Sequence, residues 1–217
     1  MEILLVRKEE QVIGTWAGGT TTQLAIWPPE SDYRKRDFAW RLSSARVDLE
    51  ESVFTSLPGY HRLLMILEGS VRLIHETPGG QREAVLSAFE QDAFEGDWKT
   101  TSYGRCVDFN LMTAQGCSGV IEPLKKRTFD LFAPWGESPN NARITEAFYC
   151  LRSGVQARVE GEGTAFEAAL GNGDFLMFSS YGRRGRSGKI FRAAFENLGD
   201  GDVWGIRAII SCRRENN

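Results

Sequence analysis

Histidine is the scarcest chemically useful residue in this chain: only His61 and His75 occur among 217 residues. A metalloenzyme barrel needs two or three imidazoles and a carboxylate converging on one ion. Two isolated histidines do not supply that set, so no metal and no other cofactor is expected. Paired cysteines are also missing. Cys106, Cys117, Cys150 and Cys212 form no Cys-x-x-Cys motif, a spacing that suits reduced thiols in a cytosolic protein better than a disulfide framework or a zinc site. No apolar run approaches the ~20 residues needed to cross a bilayer. The short apolar stretch at the N-terminus meets charge at Arg7, which fits neither a secretory signal nor a membrane span. There is no basic excess either; a net charge of -3 argues against a nucleic-acid binder. These absences predict a soluble, cytoplasmic protein with neither nucleic acid nor membrane as partner.

Several catalytic signatures are absent as well. There is no Gly-x-Ser-x-Gly elbow, no His-Glu-x-x-His and no dinucleotide glycine fingerprint. The run from Gly182 to Lys189 resembles a phosphate loop, but its spacing from Gly182 is one residue too long and Ile190 follows the lysine. A solvated basic loop is the better reading.

What the sequence does have is glycine, 23 residues of it, and turn signals at short intervals: Pro28-Pro29, Pro58-Gly59, Pro78-Gly79-Gly80, Gly171-Asn172-Gly173 and Gly199-Asp200-Gly201. Between them lie short runs rich in β-branched, aromatic and aliphatic residues, such as Thr20 to Trp27, Phe38 to Val47 and Val203 to Ser211. Many short strands at this spacing predict an all-β sandwich or closed barrel. Short helical pieces are expected at most near Ser87 to Glu90 and Thr145 to Cys150. The halves echo each other faintly. Gly69-Ser70-Val71 leads to Asp92-Ala93-Phe94, and Gly154-Val155 leads to Asp174-Phe175, which suggests a duplicated barrel unit. The expected organisation is a first barrel over 1–115, a connector over 116–141 and a second, degenerate barrel over 142–217, to which N-terminal strands could contribute.

The strand at Val107 to Met112 alternates, placing Asp108 and Asn110 on one face and Val107, Phe109 and Leu111 on the other. A barrel wall with a polar inner face can hold a small polar ligand. By the same alternation Arg41 and Ser43 share a face opposite Trp40 and Leu42. Arg62 opens the apolar run Leu63 to Leu67, expected deep in the sheet. An arginine at a pocket edge grips a carboxylate in bidentate fashion. A buried Asp108 needs a partner, and an internal salt bridge with these arginines is the plain alternative to a ligand site. His75 shares a face with Val71 and Leu73 and reads as a satisfied core histidine. His61, just after Pro58-Gly59 and beside Arg62, suits a pocket mouth.

Four blocks in order resemble the HutD/Ves family of bicupins. They are Trp16-Ala17-Gly18-Gly19-Thr20-Thr21, Trp40-Arg41-Leu42-Ser43-Ser44-Ala45, Phe54 to Arg62 with its Pro58-Gly59, and Phe94-Glu95-Gly96-Asp97 followed by Asp108-Phe109-Asn110-Leu111-Met112. Gln23 stands where an acidic residue is common, and His61 where the family usually has Asp. The resemblance implies two cupin-like, jelly-roll β-barrels in one chain. It also implies a link to histidine utilisation, with a formylglutamate-type acid as ligand, or to stress response in the Ves branch.

The leading expectation is a non-metal bicupin that binds a small carboxylated metabolite. Arg41 and Arg62 would clamp the anion, and Asp108 and Asn110 would orient it. Ser43 and Thr21 would donate hydrogen bonds, Trp16 and Phe94 would wall the pocket, and His61 would sit at its rim. One alternative is a cofactor-free isomerase or hydrolase using His61 and Asp108 as an acid/base pair. The other is a structural module that forms a homodimer.

Overall fold

The computed structural model describes residues 1–132, 142–161, 163–181, 191–197 and 203–213. The Gly182 to Lys189 loop and the Gly199 to Gly201 turn lie outside them. The chain divides into two compact units, Gln11–Ser118 and a second that joins Met1–Glu10 to Gly119–Asn217.

Strand β1 (Glu2–Val6) and a single 3-10 turn (Lys8–Glu10) come first. The Gln11–Ser118 unit then holds β2 (Val12–Trp16), β3 (Gly19–Trp27), β4 (Trp40–Val47), β5 (Glu51–Val53), β6 (Tyr60–Thr77), β7 (Gly80–Ser87), β8 (Gln91–Glu95), β9 (Lys99–Tyr103) and β10 (Cys106–Ala114). The rest of the chain adds β11 (Cys117–Leu124), β12 (Thr128–Leu131), β13 (Arg143–Cys150), β14 (Val155–Gly161), β15 (Thr164–Leu170), β16 (Phe175–Tyr181), β17 (Phe191–Glu196) and β18 (Gly205–Cys212). The all-β expectation is met.

In the Gln11–Ser118 unit the strand order is β2-β3-β4-β10-β6-β9-β5, with β7 and β8 also on β6. Strand β6 organises this unit because it serves two sheets. Its first half pairs β10 and β8, and its second half pairs β7 and β9. The change falls at Gly69, whose φ of 80° lies in the left-handed region that costs a glycine little. A Cβ there would stand 2.5 Å from the Arg105 carbonyl oxygen, so the chain needs glycine at this corner for room as well as for conformation. An apolar cluster of Val47, Leu64, Ile66, Val71, Leu73, Leu86, Phe94 and Cys106 fills one end of the unit. Above it the inward residues turn polar.

The second unit has a five-stranded sheet, β1-β16-β13-β18-β11, and a four-stranded one, β12-β17-β14-β15. Its interior is packed with aromatic and aliphatic side chains from both sheets, among them Phe129, Phe148, Phe178, Phe195 and Trp204. The echo between the halves has a structural counterpart. Gly154 has a φ of 82° and precedes the β14–β15 hairpin, much as Gly69 precedes the β6–β7 hairpin.

Three expectations are corrected. The stretch assigned to a connector contains strands β11 and β12, because Cys117–Leu124 and Thr128–Leu131 alternate buried and exposed residues and pair into sheets. The N-terminal strand joins the second unit's sheet: β1 pairs β16 antiparallel, Glu2 opposite Ser179. No helix forms near Thr145, where β13 is held between β16 and β18. Cys117 and Cys212 are disulfide-bonded, since they begin and end strands that lie side by side in one sheet; only Cys106 and Cys150 are free thiols.

Candidate functional site

Strand β10 is the middle of three strands that build the polar end of the Gln11–Ser118 unit. Antiparallel partners share a face, so the register fixes what looks inward. Met112 lies opposite both Arg41 of β4 and Arg62 of β6. Asn110 lies opposite Ser43 and Leu64, and Asp108 opposite Ala45 and Ile66. The intervening residues Phe109, Leu111, Leu42 and Met65 are apolar and buried on the other face. The alternation expected for Val107 to Met112 and for Trp40 to Ser43 is therefore realised. Two register shifts, between Val107 and Asp108 against β6 and between Gln23 and Ala25 against β4, bend the wall.

These strands enclose a cavity of about 650 Å³ lined by Arg41, Ser43, Arg62, Asp108, Asn110 and Met112, with Trp16, Thr21 and Gln23 from β2 and β3. Asp32, Tyr33 and Arg34, from the loop between β3 and β4, and Phe54, after β5, add to the wall. Of the residues singled out in the sequence, Trp16, Thr21, Arg41, Ser43, Arg62, Asp108 and Asn110 meet here. Two do not line it. Phe94 lies behind the wall, with the Arg62 guanidinium 5.0 Å from its ring centroid. His61 is exposed, its Nδ1 2.9 Å from Glu95 Oε1, because it precedes Arg62 on β6 and alternation turns it away. The proposed His61–Asp108 acid/base pair is not assembled.

Gln23, Tyr33 and Phe54 were not among the expected site residues. Phe54 had a signal, since it opens the block that ends in Arg62. Tyr33 had none, because its loop carries no pattern that points inward.

The electrostatics of the cavity are unbalanced. Arg62 is sandwiched between Phe54 and Phe94, 5.0 Å from each ring. Among the described residues its guanidinium has neither a hydrogen-bond acceptor nor an ion-pair partner, and its Nε is fully shielded. Burial pulls its pKa down to about 10, which still leaves it charged at neutral pH. Arg41 donates from Nε to Gln23 Oε1 at 3.0 Å and from a terminal nitrogen to Ser43 Oγ at 3.1 Å, and lies 4.5 Å from the Tyr33 ring centroid. Both of its acceptors are neutral.

Asp108 does not balance these charges through contact. It forms no ion pair with a described residue, and its Oδ1 has no hydrogen-bond donor. Burial pushes its carboxyl up to about 7, against the pull of Arg62, the Ala45 N–H and Arg41. The internal salt bridge that would have made this a purely structural feature is absent. Asn110 Oδ1 and Trp16 Nε1 are likewise buried and without partners. Polar atoms left this way cost roughly 1–3 kcal/mol each, so the cavity holds both donors and acceptors awaiting a polar occupant.

His75 is a satisfied core residue, as expected. Its ring nitrogens lie 2.8 Å from Thr100 Oγ1 and 2.9 Å from Asp92 Oδ2, and Asp92 also accepts from Arg82.

The fold matches solved structures along nearly its whole length. The conserved protein of unknown function PA5104 from Pseudomonas aeruginosa PAO1 superposes with a TM-score of 0.69 at 21% identity, covering 99% of this chain and 100% of that one. HutD from Pseudomonas fluorescens SBW25, in a formate condition, gives 0.63 at 19% identity, covering 98% and 100%. Oxalate decarboxylase from Bacillus subtilis gives 0.59 at 8% identity, covering 98% and 78%, which makes the fold cupin-like. Among curated proteins no relative matches. The Bacillus enzyme is described as having Mn(II) centres. The cavity here does not fit such an ion: its two buried guanidinium groups repel a cation, Asp108 is the one buried carboxyl in its lining, and both histidines lie outside that lining. Among the described residues no three His, Cys, Asp or Glu side chains gather to hold a metal. The family model described as HutD matches residues 8–189, most of both units, and the chain belongs to the HutD family.

Proposed function

We propose that this protein is a HutD-like binding protein for a small carboxylated metabolite, held in the cavity of the Gln11–Ser118 unit. The observation that carries this reading is the Arg62 guanidinium, buried, charged and without an acceptor among the described residues. An uncompensated buried charge is strongly unfavourable, and a carboxylate from solution is the simplest group that relieves it. Arg41, on the same face across β10, offers a second cationic contact. Charge-assisted bonds contribute roughly 1.5–3 kcal/mol each, so the two clamps supply much of the ~8 kcal/mol that a micromolar affinity needs. A cavity of about 650 Å³ has the size of small-molecule sites.

Family membership supports a role connected with histidine utilisation, and a formylglutamate-type acid is the proposed ligand. The proposed setting is the cytoplasm, where amino-acid breakdown products are found. Among the described residues no helix is long and apolar enough to cross a membrane. Binding to the native state alone raises stability by about 2.7 kcal/mol when ligand reaches a hundred times its Kd. Formylglutamate, formiminoglutamate or urocanate at millimolar concentration is therefore expected to raise the Tm. No shift with these or any other small acid would overturn the reading.

A further inference from the structure

The four shielded, partnerless polar atoms of the cavity divide by chemistry. Arg62 Nε and Trp16 Nε1 are donors, while Asp108 Oδ1 and Asn110 Oδ1 are acceptors. A carboxylate alone answers the donors and leaves the acceptors stranded. The acceptors lie side by side along the inward face of β10, beyond Met112 as seen from the arginine row. They form a second contact region, and its acceptors ask for N–H donors.

We propose that Asp108 is the specificity-determining residue of this cavity, selecting acids whose far end carries N–H donors and distinguishing a cationic end from a neutral one by keeping or giving up its ionised state. This rests on the carboxylate reading above, because Arg62 and Arg41 must first be neutralised by the ligand's acid group.

The surroundings of Asp108 explain why it can switch. From β4 it is faced by Ala45, with Ser43 and Arg41 further along; from β6 by Ile66, with Leu64 and then Arg62. Its own strand contributes Cys106 and Asn110, β3 contributes Thr21 and Gln23, and the β3–β4 loop contributes Tyr33. The buried charged groups are the two arginines; Asp32 and Arg34 of the β3–β4 loop also line the cavity but are solvent-exposed and paired with each other at 3.6 Å. The Cys106 thiol is pushed up to about 12 by burial and by Asp108 itself, so it stays neutral. Burial raises Asp108 to about 7 while Arg62, the Ala45 N–H and Arg41 hold it down.

A ligand carboxylate seated on the arginines cancels much of their pull, so Asp108 takes up a proton unless the ligand brings its own positive charge. A neutral urea or amide end leaves Asp108 protonated, able to donate to the ligand's carbonyl oxygen. A guanidinium or amidinium end instead stabilises the carboxylate, and a proton leaves to solvent. No bond to carbon changes in either case.

Two matched probes separate the outcomes: 4-guanidinobutyrate, cationic at its far end, and 4-ureidobutyrate, its neutral counterpart. Calorimetry between pH 6 and 8, in buffers of different ionisation enthalpy, counts the protons exchanged. The expected result is proton release with the guanidino acid, whose affinity rises with pH, and uptake with the ureido acid, whose affinity falls. D108N should abolish both exchanges and weaken the guanidino acid about tenfold or more at pH 8, since its charge then lacks a counter-ion. Binding of both acids with the same proton count, or an unchanged pattern in D108N, would overturn the inference alone. Failure of both to bind would also overturn it, while the formylglutamate-type acids still decide the parent reading.

Discussion

His61 and Arg62 are neighbours in the chain and occupy opposite environments: Arg62 is buried in the cavity wall and His61 is exposed beside Glu95. One step along a strand reverses the face, so a single residue separates a group that lines the cavity from one that meets water. The contrast bears on function because the position of His61 had suggested an acid/base role. With Asp108 facing inward and His61 outward, that pair is not brought together, and the cavity gathers cations, neutral donors and stranded acceptors.

That contrast makes a paired prediction. Arg62→Met removes a buried charge and keeps similar volume, a change that is often neutral or stabilising by about 1–4 kcal/mol. The ligand-free variant should melt at or above the wild-type temperature and show no ligand-induced shift. His61→Ala removes one exposed hydrogen bond with Glu95, a surface contact worth roughly 0–1 kcal/mol, and should bind ligand like the wild type. Differential scanning fluorimetry with and without ligand reads both. An R62M variant that keeps a full ligand response would show the anion site to be elsewhere.

Asp108 also leaves a signature in stability against pH, without any ligand. Its folded pKa, pushed up to about 7, lies above the ordinary carboxylate value, so between about pH 4 and 7 the folded state holds more protons than the unfolded one. Its contribution is then fully present at acid pH and is lost as pH rises through 7. The slope is at most about 1.4 kcal/mol per pH unit. Denaturant titrations of D108N, set against wild type, should show the variant gaining relative stability steadily over that interval and levelling above it. A difference that stays flat from pH 4 to 8 would mean that Asp108 is ionised in the ligand-free cavity throughout.

The parts of the site written in a two-residue period were legible in the sequence. Val107 to Met112 and Trp40 to Ser43 alternate plainly, and their register places Asp108, Asn110, Arg41 and Ser43 as that pattern requires. Arg62 was found but the phase of its strand was not, because Leu63 to Leu67 is apolar at every position and alternation is invisible there. Tyr33 enters from a loop, where no periodicity operates. The placement of β1 was hidden for a different reason. Its partner β16 lies far along the chain, and pairing at that distance leaves no local mark. The same is true of Cys117 and Cys212.

The duplicated glycine corners should differ in their tolerance of a side chain. Gly69 and Gly154 have φ values of 80° and 82°, a region that costs an alanine roughly 1–2 kcal/mol. Around Gly154 an added Cβ meets nothing within 4 Å, whereas at Gly69 it would stand 2.5 Å from the Arg105 carbonyl oxygen. G154A should lose only the conformational cost. G69A must also move backbone at the point where β6 changes sheets, so its loss in chemical denaturation should exceed that of G154A by about 1 kcal/mol or more. Equal losses would show that the strand relaxes there without resistance.

The Asp92 network is expected to set the acid limit of the fold. Asp92 is opposed by burial, but hydrogen bonds from His75 and Arg82 prevail and hold its carboxyl down to about 2. A depressed pKa gives stability that is complete above the ordinary carboxylate range and is lost as pH falls from about 4 towards 2. D92N keeps the shape but not the charge, so its stability should fall less steeply than wild type over that acid range. D92A strands the His75 ring nitrogen, which is shielded from solvent, and leaves Arg82 unpaired. Breaking a buried pair costs about 3–5 kcal/mol, and the partial exposure of Arg82 should bring the loss nearer 2–3 kcal/mol at pH 7. Urea titrations of wild type, D92N and D92A from pH 3 to 7 check both statements. A D92N curve that runs parallel to wild type through the acid limb would show that another carboxylate controls acid unfolding.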